Sequence, residues 1–194
     1  MLRHKQIVWH EEQPDGGYGS DRWRRQVPAG NLPALAHNGL MLTDSEVIAE
    51  YLEEIWPEPS MQAGTPALRA LVRQRGRFHD TRLEPALRSL FGWLGSAADA
   101  DPGEGKLALM QQRLDQFGQL LALEQGQLEE EKLWLGDCGF AASFLWMDAV
   151  EQKSGLAFAW PQQVVFWRQQ LESFPAVAAE HACYRPAIAA WLRS

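Results

Sequence analysis

The spacing of apolar and polar positions divides the chain into a short first part of mixed elements and a long helical remainder. Two apolar runs, 32–36 and 40–42, flank Asn38-Gly39. An Asn-Gly pair between two such runs is a strong signal for a β-hairpin. Residues 6–12 are rich in β-branched and aromatic side chains, which predicts another strand. Residues 21–26 predict a short helix between that strand and the hairpin.

The hairpin leads directly into a predicted helix. Thr43 and Glu46 match the capping-box pattern, which predicts Thr43 as the cap. Apolar residues then recur at helical spacing, namely Val47, Ile48, Tyr51, Leu52 and Ile55. Pro57 and Pro59 end the helix, because proline cannot continue it and also restricts the residue before it.

The proline- and glycine-containing stretch 57–65 predicts a boundary between two domains, 1–60 and 61–194. After it, Thr65-Pro66 is typical of a helix start, and the helical segment extends to about residue 94 with a kink at Pro85. A loop is expected over 98–106. The next helix carries a regular seam of Leu107, Met110, Leu114, Phe117 and Leu121. Further helices are expected around 140–153, 161–172, 175–182 and 186–193.

Composition and charge exclude several classes of protein. The chain has 194 residues, 46% of them hydrophobic, with nine tryptophans and eight phenylalanines, which is enough for a substantial core. A net charge of −7 argues against nucleic-acid binding. Cys138 and Cys183 form no paired motif, which favours a reducing compartment. No long apolar run or signal-peptide core is seen, so we expect a soluble cytoplasmic protein that binds no membrane. The five histidines show no metal-ligand spacing, and no metal is expected.

Two motifs and the order of elements carry a resemblance to a known family. Leu-Pro-Ala-Leu at 32–35, the Asp44-Ser45 pair beyond the Asn-Gly turn and the helical remainder together resemble the glutathione S-transferase superfamily. The resemblance covers essentially the whole chain. It implies an α+β fold in which a thioredoxin-like α/β domain is followed by an all-α helical-bundle domain.

The resemblance also implies a binding site for glutathione, the family's co-substrate. Pro33 would follow a cis peptide bond, which leaves the Leu32 backbone N–H and C=O free to pair with the cysteinyl backbone of glutathione. The Ser45 N–H and hydroxyl would hold the γ-glutamyl carboxylate at a helix N-terminus. Asp44 would meet the α-ammonium group. The family further implies a small electrophile as second substrate and a homodimer.

The sequence departs from the family pattern at its start. In the family a strand and a helix come before the strand predicted here over 6–12, and the thiol-activating Tyr, Ser or Cys lies at their junction. We therefore expect a thioredoxin-like domain without its first strand, and a catalytic residue that is unknown and upstream of Met1. In an alternative register, residues 7–12 are the first strand and Tyr18 or Ser20 is catalytic. We reject it because the 22 residues between Trp9 and Leu32 hold only one crossover helix. The missing strand leaves a second hypothesis open, a non-catalytic binding or protein-interaction module.

Two further features concern the site and the helical part. The family's cap and aspartate at the start of the buried helix are replaced by Phe140 and Ser143. The lost cap would cost about 1 kcal/mol unless Asp137 or Gly139 takes it over. The basic cluster Arg22, Arg24 and Arg25 with Trp23 either meets the glycine carboxylate of glutathione or forms an exposed helix face. Arginines along the first long helix of the second domain are expected to face solvent or to bridge acidic residues; they are Arg69, Arg73, Arg75, Arg77 and Arg82.

Overall fold

The structure is a computed structural model that describes residues 1–96, 102–129 and 131–193. The chain divides into two compact units, Met1–Met61 and Gln62–Ser194. The first unit contains α1 (Asp21–Arg24), β1 (Ala34–His37), β2 (Leu40–Thr43) and α2 (Ser45–Ile55). The second unit is helical, as expected for the fold.

The predicted hairpin is confirmed. Its antiparallel ladder runs from the pair Ala34–Thr43 to the pair His37–Leu40. Asn38 and Gly39 adopt φ values of +49° and +81°, the two left-handed residues that a tight type I′ turn requires. His37 Nδ1 lies 2.8 Å from the Tyr51 hydroxyl, so a side-chain hydrogen bond joins the hairpin to α2.

The predicted strand over residues 6–12 is wrong. Residues 7–14 form neither helix nor strand, and the part of the chain that the structure describes holds a two-stranded sheet. High β-propensity describes a side chain that fits a pleated surface beside other strands, and none of the described residues provides a strand beside this segment. Val8 is accordingly 87% exposed. The preceding turn is held instead by Lys5, whose buried Nζ contacts Glu53 Oε2 at 2.7 Å and donates to the carbonyls of Trp56 and Pro59.

The first half of the helical unit is a bent series of short elements. Its elements are α3 (Pro66–Phe78), a π-helical turn (His79–Leu83), α4 (Glu84–Arg88) and α5 (Phe91–Leu94). Close to Pro85, where the kink is expected, the α-helix gives way to a π turn that ends at Leu83. Proline has no backbone N–H to continue an α-helical ladder, and the wide π turn lies immediately before it.

Longer helices form the second half: α6 (Glu104–Glu124), a 3₁₀ turn (Leu135–Asp137), α7 (Cys138–Ser154), α8 (Gln162–Ser173) and α9 (Pro175–Trp191). Of the loop expected over 98–106, residues 98–101 lie outside the described residues and 104–106 are already helical. The expected interruption near Pro186 is wrong, since α9 continues through it. Tyr184 and Ile188, on either side of Pro186, both pack on the α7 cluster around Leu145, which holds the two halves in one helix.

The core of the helical unit follows the predicted α6 seam. Met110, Leu114 and Phe117 are fully buried. The Phe117 ring stacks on Phe140 of α7 at 4.4 Å, and Trp167 of α8 meets both rings edge-on at 5.1 and 5.0 Å. These aromatic contacts join three helices. Among the described residues, no helix is long and apolar enough to cross a bilayer.

Candidate functional site

The open end of the β1–β2 hairpin brings the four predicted site residues together. Ala34–Thr43 is the last pair of the ladder, so Pro33 and Asp44 are the next residues beyond it on the two strands. Leu32 and Ser45 follow on either side. The Leu32–Pro33 peptide bond is cis, as predicted.

The Leu32 backbone is available to a ligand. Leu32 is 50% exposed, and its N–H and C=O make no hydrogen bond to any residue that the structure describes. The segment is fixed just before this point, because the buried Trp23 donates its indole N–H to the Asn31 carbonyl at 3.3 Å. Trp23 therefore positions the segment, and its indole N–H is already engaged.

Asp44, and not Thr43, caps helix α2. Thr43 is still part of the β-ladder, and α2 begins at Ser45. Asp44 Oδ1 accepts hydrogen bonds from the backbone N–H groups of Glu46 and Val47 at 3.0 and 3.3 Å. The predicted capping box is therefore wrong by one residue: the strand keeps Thr43 extended, and the chain turns at Asp44.

The Asp44 backbone is strained, with φ +81° and ψ 123°. A residue with a side chain in such a region costs about 1–3 kcal/mol and persists where the surroundings require it, often at functional sites. The two hydrogen bonds to the cap offset part of this cost. They use only Oδ1, so Oδ2 of the exposed carboxylate is free to accept from a ligand.

Ser45 supplies the complementary donors. Among the described residues its N–H and hydroxyl make no hydrogen bond, and they lie at the positive end of an 11-residue helix. The open end of the hairpin thus presents an acceptor for a cation, two donors for a carboxylate and a free backbone edge. An α-amino acid group attached to a peptide carries the matching groups.

A second arrangement in the helical unit has the hydrogen bonds of a hydrolytic triad but is closed to substrate. His79 Nε2 lies 2.8 Å from Ser143 Oγ, and His79 Nδ1 lies 2.6 Å from Asp80 Oδ1. Ser143 and His79 are only 5% and 6% exposed. A nucleophile must reach its substrate, so we assign this group a structural role in joining the π turn to α7. Phe140 and Ser143 lie inside α7. Asp137, one of the two residues that could take over the cap, occupies the cap position, but its side chain makes no capping hydrogen bond to α7.

A buried charge cluster in the helical unit was not predicted as a group. Arg75 donates to Glu124 Oε2 at 3.0 and 2.7 Å and to Asp137 Oδ1 at 2.6 Å. Burial raises the pKa of both carboxyls, against the opposing effect of Arg75. Burial alone would lower the pKa of Arg75, but the two carboxylates raise it. Of the five arginines noted in the sequence, Arg75 is therefore one that bridges acids. Within the described residues, no group of three His, Cys, Asp or Glu side chains could hold a metal ion.

Comparisons with known proteins agree with this arrangement. A family model for the glutathione S-transferase N-terminal domain matches residues 1–60. The glutathione S-transferase-like protein LUC7 of a Fusarium species is 31% identical over 160 residues, 78% of this chain and 70% of that protein. Protein LigF of Sphingobium sp. is 43% identical over 56 residues, which are 28% of this chain and only 22% of LigF.

A solved structure extends the likeness to both units. The theta class glutathione S-transferase of the citrus canker pathogen Xanthomonas axonopodis pv. citri, with glutathione bound, superposes with a TM-score of 0.68. It is 21% identical, and the match covers 92% of this chain and 86% of that one. These features define a thioredoxin-like domain followed by a helical domain. The chain belongs to the glutathione S-transferase superfamily.

Proposed function

We propose that the open end of the hairpin binds glutathione. The γ-glutamyl carboxylate is held by the Ser45 N–H and hydroxyl, and the α-ammonium is held by Asp44 Oδ2. The backbone of Leu32, before cis Pro33, pairs with the cysteinyl part of the tripeptide. The observation that carries this proposal is the strained Asp44, which directs one carboxylate oxygen to its own helix and leaves the other for a ligand.

The division of hydrogen bonds at α2 supports this assignment. Asp44 accepts hydrogen bonds from the N–H groups of Glu46 and Val47. The Ser45 N–H therefore remains available to a ligand carboxylate. A carboxylate at a helix N-terminus is favoured both by these unpaired N–H groups and by the helix dipole. The Asp44 carboxylate beside it selects a ligand that carries an ammonium group next to its carboxylate. That requirement fits the γ-glutamyl end of glutathione.

Calorimetric titration of the full chain with reduced glutathione tests the proposal. We expect Ser45→Ala and Asp44→Asn each to weaken binding by about tenfold or more, a loss of about 1.4 kcal/mol. Asn at position 44 keeps an oxygen that can cap the helix, so stability is retained while the charge is removed. Ser89→Ala and Asp21→Asn are the matched controls and leave affinity unchanged. A chain that binds no glutathione, or binds it equally well without the Ser45 hydroxyl and the Asp44 charge, contradicts the proposal.

We further propose that the bound thiol is transferred to, or used to reduce, a small electrophile, in a cytoplasmic homodimer. The support is family membership. Conjugation of a chlorodinitrobenzene and reduction of an organic hydroperoxide, each at saturating glutathione, test the two chemistries. Sedimentation tests the dimer.

A second candidate is a non-catalytic module that binds glutathione or a protein through the same fold. It is favoured by two hydroxyls of the first unit that are already engaged. The Tyr51 hydroxyl lies 2.8 Å from His37 Nδ1, and the Ser20 hydroxyl donates to the Asp15 carbonyl and accepts from the Trp23 N–H. Both chemistries failing while glutathione still binds would favour this module over the enzyme.

A further inference from the structure

The helical unit contains a cavity that the proposed glutathione site does not use. It has a volume of about 320 Å³ and is lined by the C-terminal end of α6, residues between α6 and the 3₁₀ turn, the end of that turn and one face of α8. Cavities of this size accept small organic molecules. Its walls combine apolar, polar and charged side chains, and Trp134, Phe166 and Trp167 are among the aromatic residues that line it.

Glu124, one of the residues that line this cavity, has a buried carboxylate oxygen without a partner in the described part of the chain. The Glu124 side chain is 2% exposed, and its Oε2 accepts from Arg75. The other oxygen, Oε1, is buried and makes no hydrogen bond within the described residues. A buried acceptor left unpaired is unfavourable, because it has lost its hydrogen bonds to water and gained none in the protein. A ligand that donates a hydrogen bond to Oε1 recovers this cost on binding.

The charges around the cavity indicate that the donor is a cation. Arg75 supplies one positive charge to the two carboxylates of Glu124 and Asp137. Lys132 and Glu129 also line the cavity and carry opposite charges. The described lining residues therefore retain an excess of one negative charge. A hydroxyl donor would satisfy Oε1 but leave the negative charge uncompensated in a poorly solvated place. An ammonium group would both satisfy Oε1 and neutralise the charge.

The walls favour a ligand with a flat apolar part. Phe166 is 52% exposed although it faces a cavity, so a bound ring would remove apolar surface from water there. Cations in this region already lie on aromatic faces. The Arg75 guanidinium carbon is 5.4 Å from the Trp167 ring centroid, and Lys132 Nζ is 4.6 Å from that of Trp134.

We propose that this cavity is a binding site for a small aromatic amine. The ammonium group donates to Glu124 Oε1, and the ring packs against Phe166 and Trp167. All residues of this site belong to the helical unit. Binding of the amine is therefore a separate function from binding of glutathione, and each proposal can be tested without the other.

A charge series of one ligand shape tests this proposal on the full chain. Calorimetry compares 2-phenylethylamine with 2-phenylethanol and 3-phenylpropionate, which present a cation, a neutral donor and an anion on similar frames. We expect the amine to bind at least about tenfold more tightly than the alcohol, about 1.4 kcal/mol, and the anion not to bind. The indole N–H resonances of Trp134 and Trp167 should shift on titration, which places the ligand in this cavity.

Two variants separate the roles of the carboxylate and the ring. Glu124→Gln should weaken the amine to the level of the alcohol, while Phe166→Ala should weaken both ligands alike. Leu123→Ala is the control, because Leu123 is 74% exposed on the same helix as Glu124 and does not line the cavity. If Glu124→Gln fails to fold, the proposal is still tested by the ligand series, by the indole resonances and by Phe166→Ala at a half-exposed position.

Three results overturn the proposal. The alcohol binding as tightly as the amine would mean that the cavity is only apolar. An amine preference that survives in Glu124→Gln would place the cation elsewhere. Shifts of other indole resonances, with Trp134 and Trp167 unchanged, would place the ligand at another site.

Discussion

Arg75→Met tests whether one cation holds the buried cluster together. Methionine keeps an unbranched apolar stem but has no charge, so the change leaves Glu124 and Asp137 buried without the guanidinium that bonds to both of them. Breaking a buried ion pair by removing one partner costs about 3–5 kcal/mol, because a buried charge is left uncompensated. Typical domains have a free energy of unfolding of about 5–15 kcal/mol. We therefore expect Arg75→Met to lose about a fifth or more of the free energy of unfolding.

The loss should depend on pH with a definite sign. The pKa values of Glu124 and Asp137 are already raised in the folded protein, and removing Arg75 raises them further. A carboxyl whose pKa is higher in the folded state than in the unfolded state stabilises the fold when it is protonated. This stabilisation is complete below the unfolded pKa of about 4 and is lost as the pH rises through the folded pKa. The deficit of Arg75→Met is therefore larger at about pH 8 than at about pH 5.5, where the unpaired carboxyls can take up protons.

Urea unfolding followed by circular dichroism at the two pH values measures this effect. Arg73→Met is the matched control, since Arg73 lies on the same helix and is exposed, and it should change stability by no more than about 0.5 kcal/mol. The reasoning is refuted if Arg75→Met is no more costly than Arg73→Met. It is also refuted if the deficit grows as the pH is lowered.

Two predictions concern backbone positions and use the same unfolding assay. Asp44→Ala should destabilise by about 1 kcal/mol or more because it loses the cap and keeps the positive φ, whereas Asp44→Gly should cost only a few tenths; equal losses would mean that the backbone of Asp44 is not strained. Gly136→Ala should destabilise strongly, since its Cβ would clash with the Val72 carbonyl oxygen and overpacking costs about 1–3 kcal/mol or more. Gly105→Ala, whose Cβ meets open space in α6, should be neutral or stabilising.

Elements specified by neighbouring residues could be predicted from the sequence. The Asn-Gly turn sets the hairpin and its register, and the positions of Leu32, Pro33, Asp44 and Ser45 follow from that register. The helix α2 follows from its apolar spacing. The glutathione-binding roles of the four residues remain a prediction, because the resemblance suggested them and the geometry only agrees with them.

Elements that depend on distant partners could not be predicted. The β-branched stretch over 6–12 needs an adjacent strand before its propensity has any effect, and no local signal reports that partner. The cap moved from Thr43 to Asp44 because the ladder reaches one residue further than the pattern suggests. Pro186 stays inside α9 because packing on α7 outweighs the local break.

The buried charge cluster lies between these cases. The sequence shows charged residues on the apolar faces of two helices, but it does not show which of them pair. Arg75 continues the spacing of Leu68, Leu71 and Val72, and Glu124 continues the spacing of Leu114, Phe117 and Leu121. A charged residue at a core position conflicts with the pattern around it, and such conflicts concentrate at functional sites. The sequence thus marks the two residues separately, while the bond between them joins positions 49 residues apart. Nothing local indicates that one cation serves two carboxylates. The excess negative charge, the unpaired carboxylate oxygen and the cavity form only when the chain folds. The proposed binding site for a cation can therefore be inferred from the structure but not from the sequence.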